Sequence, residues 1–390
     1  MTLVKVLGKN RTSRNGFTWR LGLNGCAEPW NTGHCTDGGL YACEWKDLLP
    51  WIGELYTFDV DECAIVTVPD GARSAVFEHK VKAERLIVVE FISVVDAVRR
   101  SIAAGANVHA YTDYALRCAS LSGNLGVVQV LLEAGAYVHA LSDEALIQAS
   151  SRGHVAVVKA LLTAGADVYE DDDYALRDAS EMGHVAVVQA LLKAGADVHA
   201  LDDEALRCAS AKGHVDVVRV LLEAGADVHA CTDYALRWAS AKGHVDVVQV
   251  LLEAGADVHA LDDEALIVAS EYGRVAVVPA LLKAGASVHA YQLHQASKYG
   301  HVAVVQMLLK AGANDTDKAL VLASKYGHVA VVQTLLDAGA DVHARSDDAL
   351  LEASSHGHVA VVQALLDAGA DVHARNYKLR YAYKYIRRLL

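Results

Sequence analysis

Between Asp203 and Gly225 the apolar side chains fall into two short helical stripes. Ala205, Leu206 and Ala209 make one face of a first helix, because positions three and four apart meet on the same side. Asp203 stands just before them as an N-cap, with its carboxylate expected to accept from the free amides of the first turn. Gly213 ends this helix, since a left-handed residue costs least as glycine. Val215, Val218, Leu221 and Leu222 form the buried stripe of a second helix, and Asp216, Arg219 and Glu223 its solvated side. Two helices of about eleven residues are marginal alone. Their remaining apolar faces need neighbours.

The neighbours are copies of the same unit. Gly123, Gly153, Gly183, Gly213, Gly243 and Gly273 lie thirty residues apart, Gly300 and Gly327 follow at twenty-seven, and Gly357 returns to thirty. A period of this size predicts a stacked solenoid, which grows by addition and exposes long surfaces for partners. The pattern predicts nine complete helix-turn-helix repeats between Asp113 and Gly369, with helix axes roughly 8–10 Å apart. Val94–Gly105 reads as a lone second helix joining the array to what precedes it. Residues 376–390 read as a basic capping helix. Pro279 falls inside a second helix, where it is expected to remove a backbone hydrogen bond.

Composition marks a boundary at about residue 88. All four Phe lie at or before Phe91, and four of the five Trp lie at or before Trp51. Residues 1–88 mix short apolar strands (Leu3–Leu7, Cys63–Val68, Leu86–Val89) with a Pro69-Asp70-Gly71 turn, as in a small β-rich module. The expected organisation is therefore a β-rich module over 1–88, an array over 89–375 and a cap over 376–390. Residues 87–374 carry 19 basic and 37 acidic side chains, a charge of −18. An acidic surface repels phosphate backbones, so nucleic acid is not the expected partner. No stretch approaches eighteen uninterrupted apolar residues, so no membrane span is expected. Seven cysteines without framework spacing, and no apolar leader, suit reduced thiols in a cytosol-like compartment.

The segment G-H-V-x-V-V-x-x-L-L-x-A-G-A-D-V resembles the second helix of the ankyrin repeat and its exit, and recurs nine times over about three quarters of the chain. The ankyrin T-P-L-H start is replaced by D-E-A-L or D-Y-A-L, and the hairpin loop is three residues shorter. Short repeats of this kind resemble those of ankyrin proteins of giant DNA viruses. Phe17, Trp19, Trp30-Asn31 and the Cys35–Leu40 stretch resemble the small N-terminal domain of those proteins. The resemblance implies a mainly α, right-handed ankyrin-type solenoid of nine complete repeats plus terminal half-repeats. It also implies a non-enzymatic interaction scaffold in the host cytoplasm or associated with virions, as monomer or weak oligomer. A structural virion component and a substrate adaptor for ubiquitin-dependent turnover are the alternatives.

Fifteen of nineteen histidines sit at two repeat positions, after the turn glycine and within D-V-H-A. Zinc needs ligands about 2.0–2.1 Å from the ion, whereas equivalent residues in adjacent repeats stand a helix spacing apart, so bonds to loop backbone are expected instead. Cys26, His34, Cys35 and Cys43 cluster without a C-x-x-C pair, and no metal or other cofactor is expected. A catalytic triad needs a singular constellation, which repeated Ser, Asp and His do not supply. The resemblance implies that the two positions before the turn glycine face a concave binding groove. There the chain places Tyr272, Lys298-Tyr299 and Lys325-Tyr326, and Met182 in an earlier repeat. Trp238 is the lone aromatic at a slot where other repeats carry residues such as Cys208, Gln148, Asp178 and Val268. Aromatic anchors dominate interface energetics, so these seven residues are the candidate site. An acidic or phosphorylated protein segment with apolar side chains is the expected partner.

Overall fold

A computed structural model describes residues 2–7, 11, 18–25, 40–49, 62–77 and 80–371. Phe17, Trp30-Asn31, residues 35–39, Cys26, His34 and the expected cap over 376–390 lie outside the described residues. The chain divides into two compact units, Met1–Asp197 and Val198–Leu390.

Among the described residues the first unit begins with seven strands: β1 Thr2–Val6, β2 Gly22–Gly25, β3 Leu40–Ala42, β4 Glu62–Thr67, β5 Ser74–Phe77, β6 Lys80–Ala83 and β7 Arg85–Ser93. They form a four-stranded sheet ordered β1-β4-β7-β2 and a three-stranded sheet ordered β3-β6-β5. All the pairings are antiparallel. Leu3, Trp19, Leu40, Ala64, Val81 and Leu86 pack into one core between them. The Pro69 turn is closed by the Ala72 amide donating to the Pro69 carbonyl at 3.1 Å. β7 leads directly into α1, Val94–Ala103, whose N-cap Ser93 accepts from the Asp96 amide at 3.0 Å. Ser101 of α1 donates to the Trp45 carbonyl at 2.6 Å and ties the helix to the strand module. Three helix pairs complete the unit: α2 Ala110–Ser122 with α3 Leu125–Glu133, α4 Glu144–Ser151 with α5 Val155–Thr163, and α6 Glu170–Glu181 with α7 Val185–Lys193.

Among its described residues the second unit holds six pairs. These are α8 Ala200–Lys212 with α9 Val215–Glu223, α10 Ala230–Lys242 with α11 Val245–Glu253, α12 Ala260–Glu271 with α13 Val277–Lys283, α14 Ala290–Lys298 with α15 Val302–Lys310, α16 Thr316–Lys325 with α17 Val329–Asp337, and α18 Ala344–Ser355 with α19 Val359–Asp367. Nine pairs therefore stand among the described residues, as the period predicts. Within each unit first helices pack on first helices and second on second. Ala205, Leu206, Ala209, Val218 and Leu221 are buried as their spacing predicts, and so are their counterparts. Val215 and Leu222, expected in the buried stripe, are only half-buried, and Val217 takes the buried place instead.

Two local expectations are corrected. Asp203 is no N-cap: Leu201, Asp202 and Asp203 are all left-handed, with φ of 50°, 55° and 55°. Its carboxylate reaches the next repeat instead, accepting from the Asp227 amide at 2.8 Å. A left-handed non-glycine residue costs roughly 1–2 kcal/mol, so three in a row need outside support. Arg207 gives some, donating to the Asp202 and Leu201 carbonyls at 3.0 and 2.8 Å. Pro279 does not interrupt its helix. The helix shortens instead, starting at Val277, so Pro279 lies in the first turn, where an amide has no helical acceptor anyway.

Candidate partner-binding face

Every first helix ends two residues or fewer before a left-handed glycine, and that ending places the candidate residues. Tyr272, Tyr299 and Tyr326 are the C-cap residues of α12, α14 and α16. The backbone beneath them is clamped from the next repeat. His301, His328 and His358 point Nε2 at the carbonyls of Glu271, Lys298 and Lys325 at 2.8, 2.9 and 2.9 Å. A carbonyl only accepts, so Nε2 carries the proton. The glycines make room for these rings: a Cβ on Gly273 would meet His301 Nδ1 at 2.5 Å. This is the backbone role expected of the first histidine set.

The second set, expected to bond loop backbone as well, meets side-chain carboxylates instead. His199, His229 and His259 donate through Nδ1 to Asp203, Asp233 and Asp263 at 3.2, 3.2 and 3.0 Å. Those aspartates are 4 % exposed and also accept from a backbone amide twenty-four residues on. The set thus fixes the loops that join one repeat to the next. In the first unit Tyr169 stands four residues before Asp173, where His199, His229 and His259 stand before their aspartates, and burial, its largest influence, pushes the Asp173 carboxyl above the usual 3.8.

The three tyrosines are 54, 44 and 45 % exposed, which places their rings in solvent and not in the stack. Lys298 joins two of them. Its ammonium donates to Tyr299 Oη at 3.2 Å and lies 4.7 Å from that ring and 5.9 Å from Tyr326. The Tyr299 hydroxyl, the largest influence, pushes the Lys298 ammonium above its usual range. Lys325 turns elsewhere, pairing with Glu352 at 3.7 Å. Trp238, 38 % exposed, packs against Tyr234 and carries Lys242 5.3 Å above its ring. Trp238 and Tyr272 line one cleft of about 290 Å³ between α10 and α12. Met182 is exposed at the end of α6, in the first unit.

Sequence reasoning missed two members of this face, Lys242 and Arg274. Arg274 had a signal: seven other repeats carry histidine after the turn glycine. Arg274 keeps the clamp, donating through Nε to the Ala241 carbonyl at 2.7 Å, and adds a guanidinium 5.9 Å from the Tyr272 ring.

Elsewhere, Cys43 is buried and its thiol donates to the Val4 carbonyl at 3.6 Å. Burial pushes that thiol well above its usual range and Cys63 up to about 12, so both are poor metal-binding thiolates. Among the described residues no group of three or more His, Cys, Asp or Glu is placed to hold a metal ion. Among them, too, no helix is long and apolar enough to cross a membrane.

A family model described as "Ankyrin repeats (3 copies)" matches residues 116–202, 146–232, 206–292 and 293–376. No curated protein matches the chain. Among solved structures, the human ASB11 ankyrin repeat domain is similar at 30% identity, covering 50% of this chain and 98% of that one with a TM-score of 0.45.

Proposed function

This chain belongs to the ankyrin-repeat family, and we propose that it is a non-enzymatic scaffold holding a protein partner across Tyr272, Tyr299 and Tyr326. The observation that carries the reading is the placement of three half-exposed tyrosines at successive C-caps, on backbone clamped by the next repeat. Their exposure leaves ring area to bury, and the clamp lowers the ordering needed on binding. Lys298 adds a cation between two of the rings. An acidic or phosphorylated segment with apolar side chains suits that mixture better than nucleic acid does, since residues 87–374 carry a charge of −18. The partner is a host or viral protein met in the cytoplasm, and the scaffold works as a monomer or weak oligomer.

The test is affinity capture with the chain and with a Tyr272→Ala, Tyr299→Ala, Tyr326→Ala variant. Truncating one well-buried anchor costs about 2 kcal/mol in binding, so the triple variant should lose most of its partner while its melting temperature holds. Unchanged recovery removes this face as the site. A lowered melting temperature makes the tyrosines part of the stack. Recovery only with particle proteins would favour the structural-component reading.

A further inference from the structure

The cleft between α10 and α12 gathers what is singular about this array. Trp238 is the lone aromatic at its slot, and Arg274 replaces the histidine found after the turn glycine in seven repeats. Both line the cleft, with Tyr272 and Lys242. Its charges are unequal. Arg237 is answered by Glu264 at 3.4 Å, which leaves Lys242 and Arg274 as two cations. Each is backed by a ring, Lys242 by Trp238 at 5.3 Å and Arg274 by Tyr272 at 5.9 Å. Arg274 is also pinned through Nε, so its two terminal nitrogens are presented as a fixed fork suited to an oxyanion. Val268 contributes an apolar wall.

We propose that this cleft takes the phosphorylated side chain of a tyrosine in the partner. Aromatic and apolar walls enclosing about 290 Å³ accept one flat ring. A phosphomonoester carries about −1.5 to −2 at neutral pH, which the charges of Lys242 and Arg274 match and a carboxylate half fills. The cleft also inverts the sign of its surroundings, which repel anions that find no such pair of cations. The proposal rests on this face being a partner surface, and it names the group that the surface recognises.

N-acetyl-phosphotyrosine amide titrated into the full chain tests it, read by calorimetry and by the indole N–H resonance of Trp238. Saturable binding that shifts this resonance is expected. N-acetyl-tyrosine amide and inorganic phosphate should each bind at least tenfold more weakly. Arg274→His is the informative variant: histidine makes the same carbonyl bond in other repeats, as His301 does at 2.8 Å, so the stack is kept while the fork is lost. It should weaken binding about tenfold or more, and Trp238→Cys, which restores the residue of the preceding repeat, should do likewise. Equal binding of the unphosphorylated amide, equal binding of free phosphate, no binding of any probe, or an Arg274→His variant that binds as well as the parent would each overturn the proposal. These probes need no partner. If they fail while the triple tyrosine variant still loses its partner, the scaffold reading stands and only this cleft is removed.

Discussion

Replacing Asp203 tests how one repeat is fastened to the next. Its carboxylate is 4 % exposed, accepts from the Asp227 amide at 2.8 Å and from His199 Nδ1 at 3.2 Å, and closes a run of three left-handed residues. Hydrogen bonds to a charged group contribute about 1.5–3 kcal/mol, and the left-handed conformation adds roughly 1 kcal/mol against alanine relative to aspartate. Asp227 is itself exposed, so water can satisfy its released amide and trim the loss. Asp203→Ala should therefore cost about 2–4 kcal/mol. Asp203→Asn keeps an acceptor and tolerates the backbone, so it should cost about 1 kcal/mol. Stability in repeat arrays is a sum of nearest-neighbour terms, so the loss should be local. Hydrogen exchange measured by mass spectrometry over residues 200–232 should quicken at least tenfold in the alanine variant. Residues 330–365 should hardly change. Equal exchange in parent and Asp203→Ala would refute the fastening role. A variant Asp203→Asn as damaging as alanine would show that charge, not the bond to Asp227, does the work.

Three further outcomes follow from the same geometry. Gly213 has φ of +83°, and a Cβ there would lie 2.6 Å from His244 Nδ1; Gly213→Ala should cost about 2–3 kcal/mol. That cost should be less than additive with His244→Ala in a denaturation double-mutant cycle, and strict additivity would contradict the overlap. Asp173 has its carboxyl raised by burial, so the folded chain holds that proton more tightly than the unfolded one. Its contribution is present at low pH and is lost as pH rises through the raised value. Asp173→Asn should then stabilise the protein at pH 7 but not below about pH 4, and a denaturant midpoint with no such pH difference would count against it. His294, facing Asp315 and Lys318, is held below the usual 6.5, chiefly by burial. Its folded value is lowered, so acidification through about 6.5 protonates the unfolded chain first and stability falls from pH 7 towards 5. His294→Gln should flatten that slope, and an unaltered slope would exclude His294 as its source.

The helices were legible because their signals are local and repeated nine times. Val218, Leu221, Ala209 and their counterparts are buried where a 3.6-residue stripe places them. The loops were not legible, because what shapes them lies twenty-four to thirty-three residues away. The rule for helix caps reads Asp203 as a partner of its own helix, whereas the carboxylate is held by the Asp227 amide of the next repeat. Strands β2, β3, β5 and β6 also escaped sequence reading, being three or four residues long with no alternation to mark them. The exposed positions of the tyrosines followed from what the ankyrin resemblance implies. The partner of each neighbouring lysine did not.

Lys298 and Lys325 show why. They stand at the same slot of consecutive repeats, each followed by tyrosine, glycine and histidine. Yet one ammonium sits against Tyr299 and Tyr326 and the other against Glu352. The difference comes from the following first helix, where the residue before the paired small side chains is Leu322 for Lys298 and Glu352 for Lys325. Leucine offers no anion, so Lys298 turns to the rings, where a cation gains about 0.5–1 kcal/mol at an exposed site. Glutamate answers Lys325, and the Tyr326 ring meets Lys298. A residue copied by the repeat thus acquires its chemistry from the neighbour that was not copied. That is why the departures, Trp238, Arg274 and Leu322 among them, say more about this face than the positions every repeat shares.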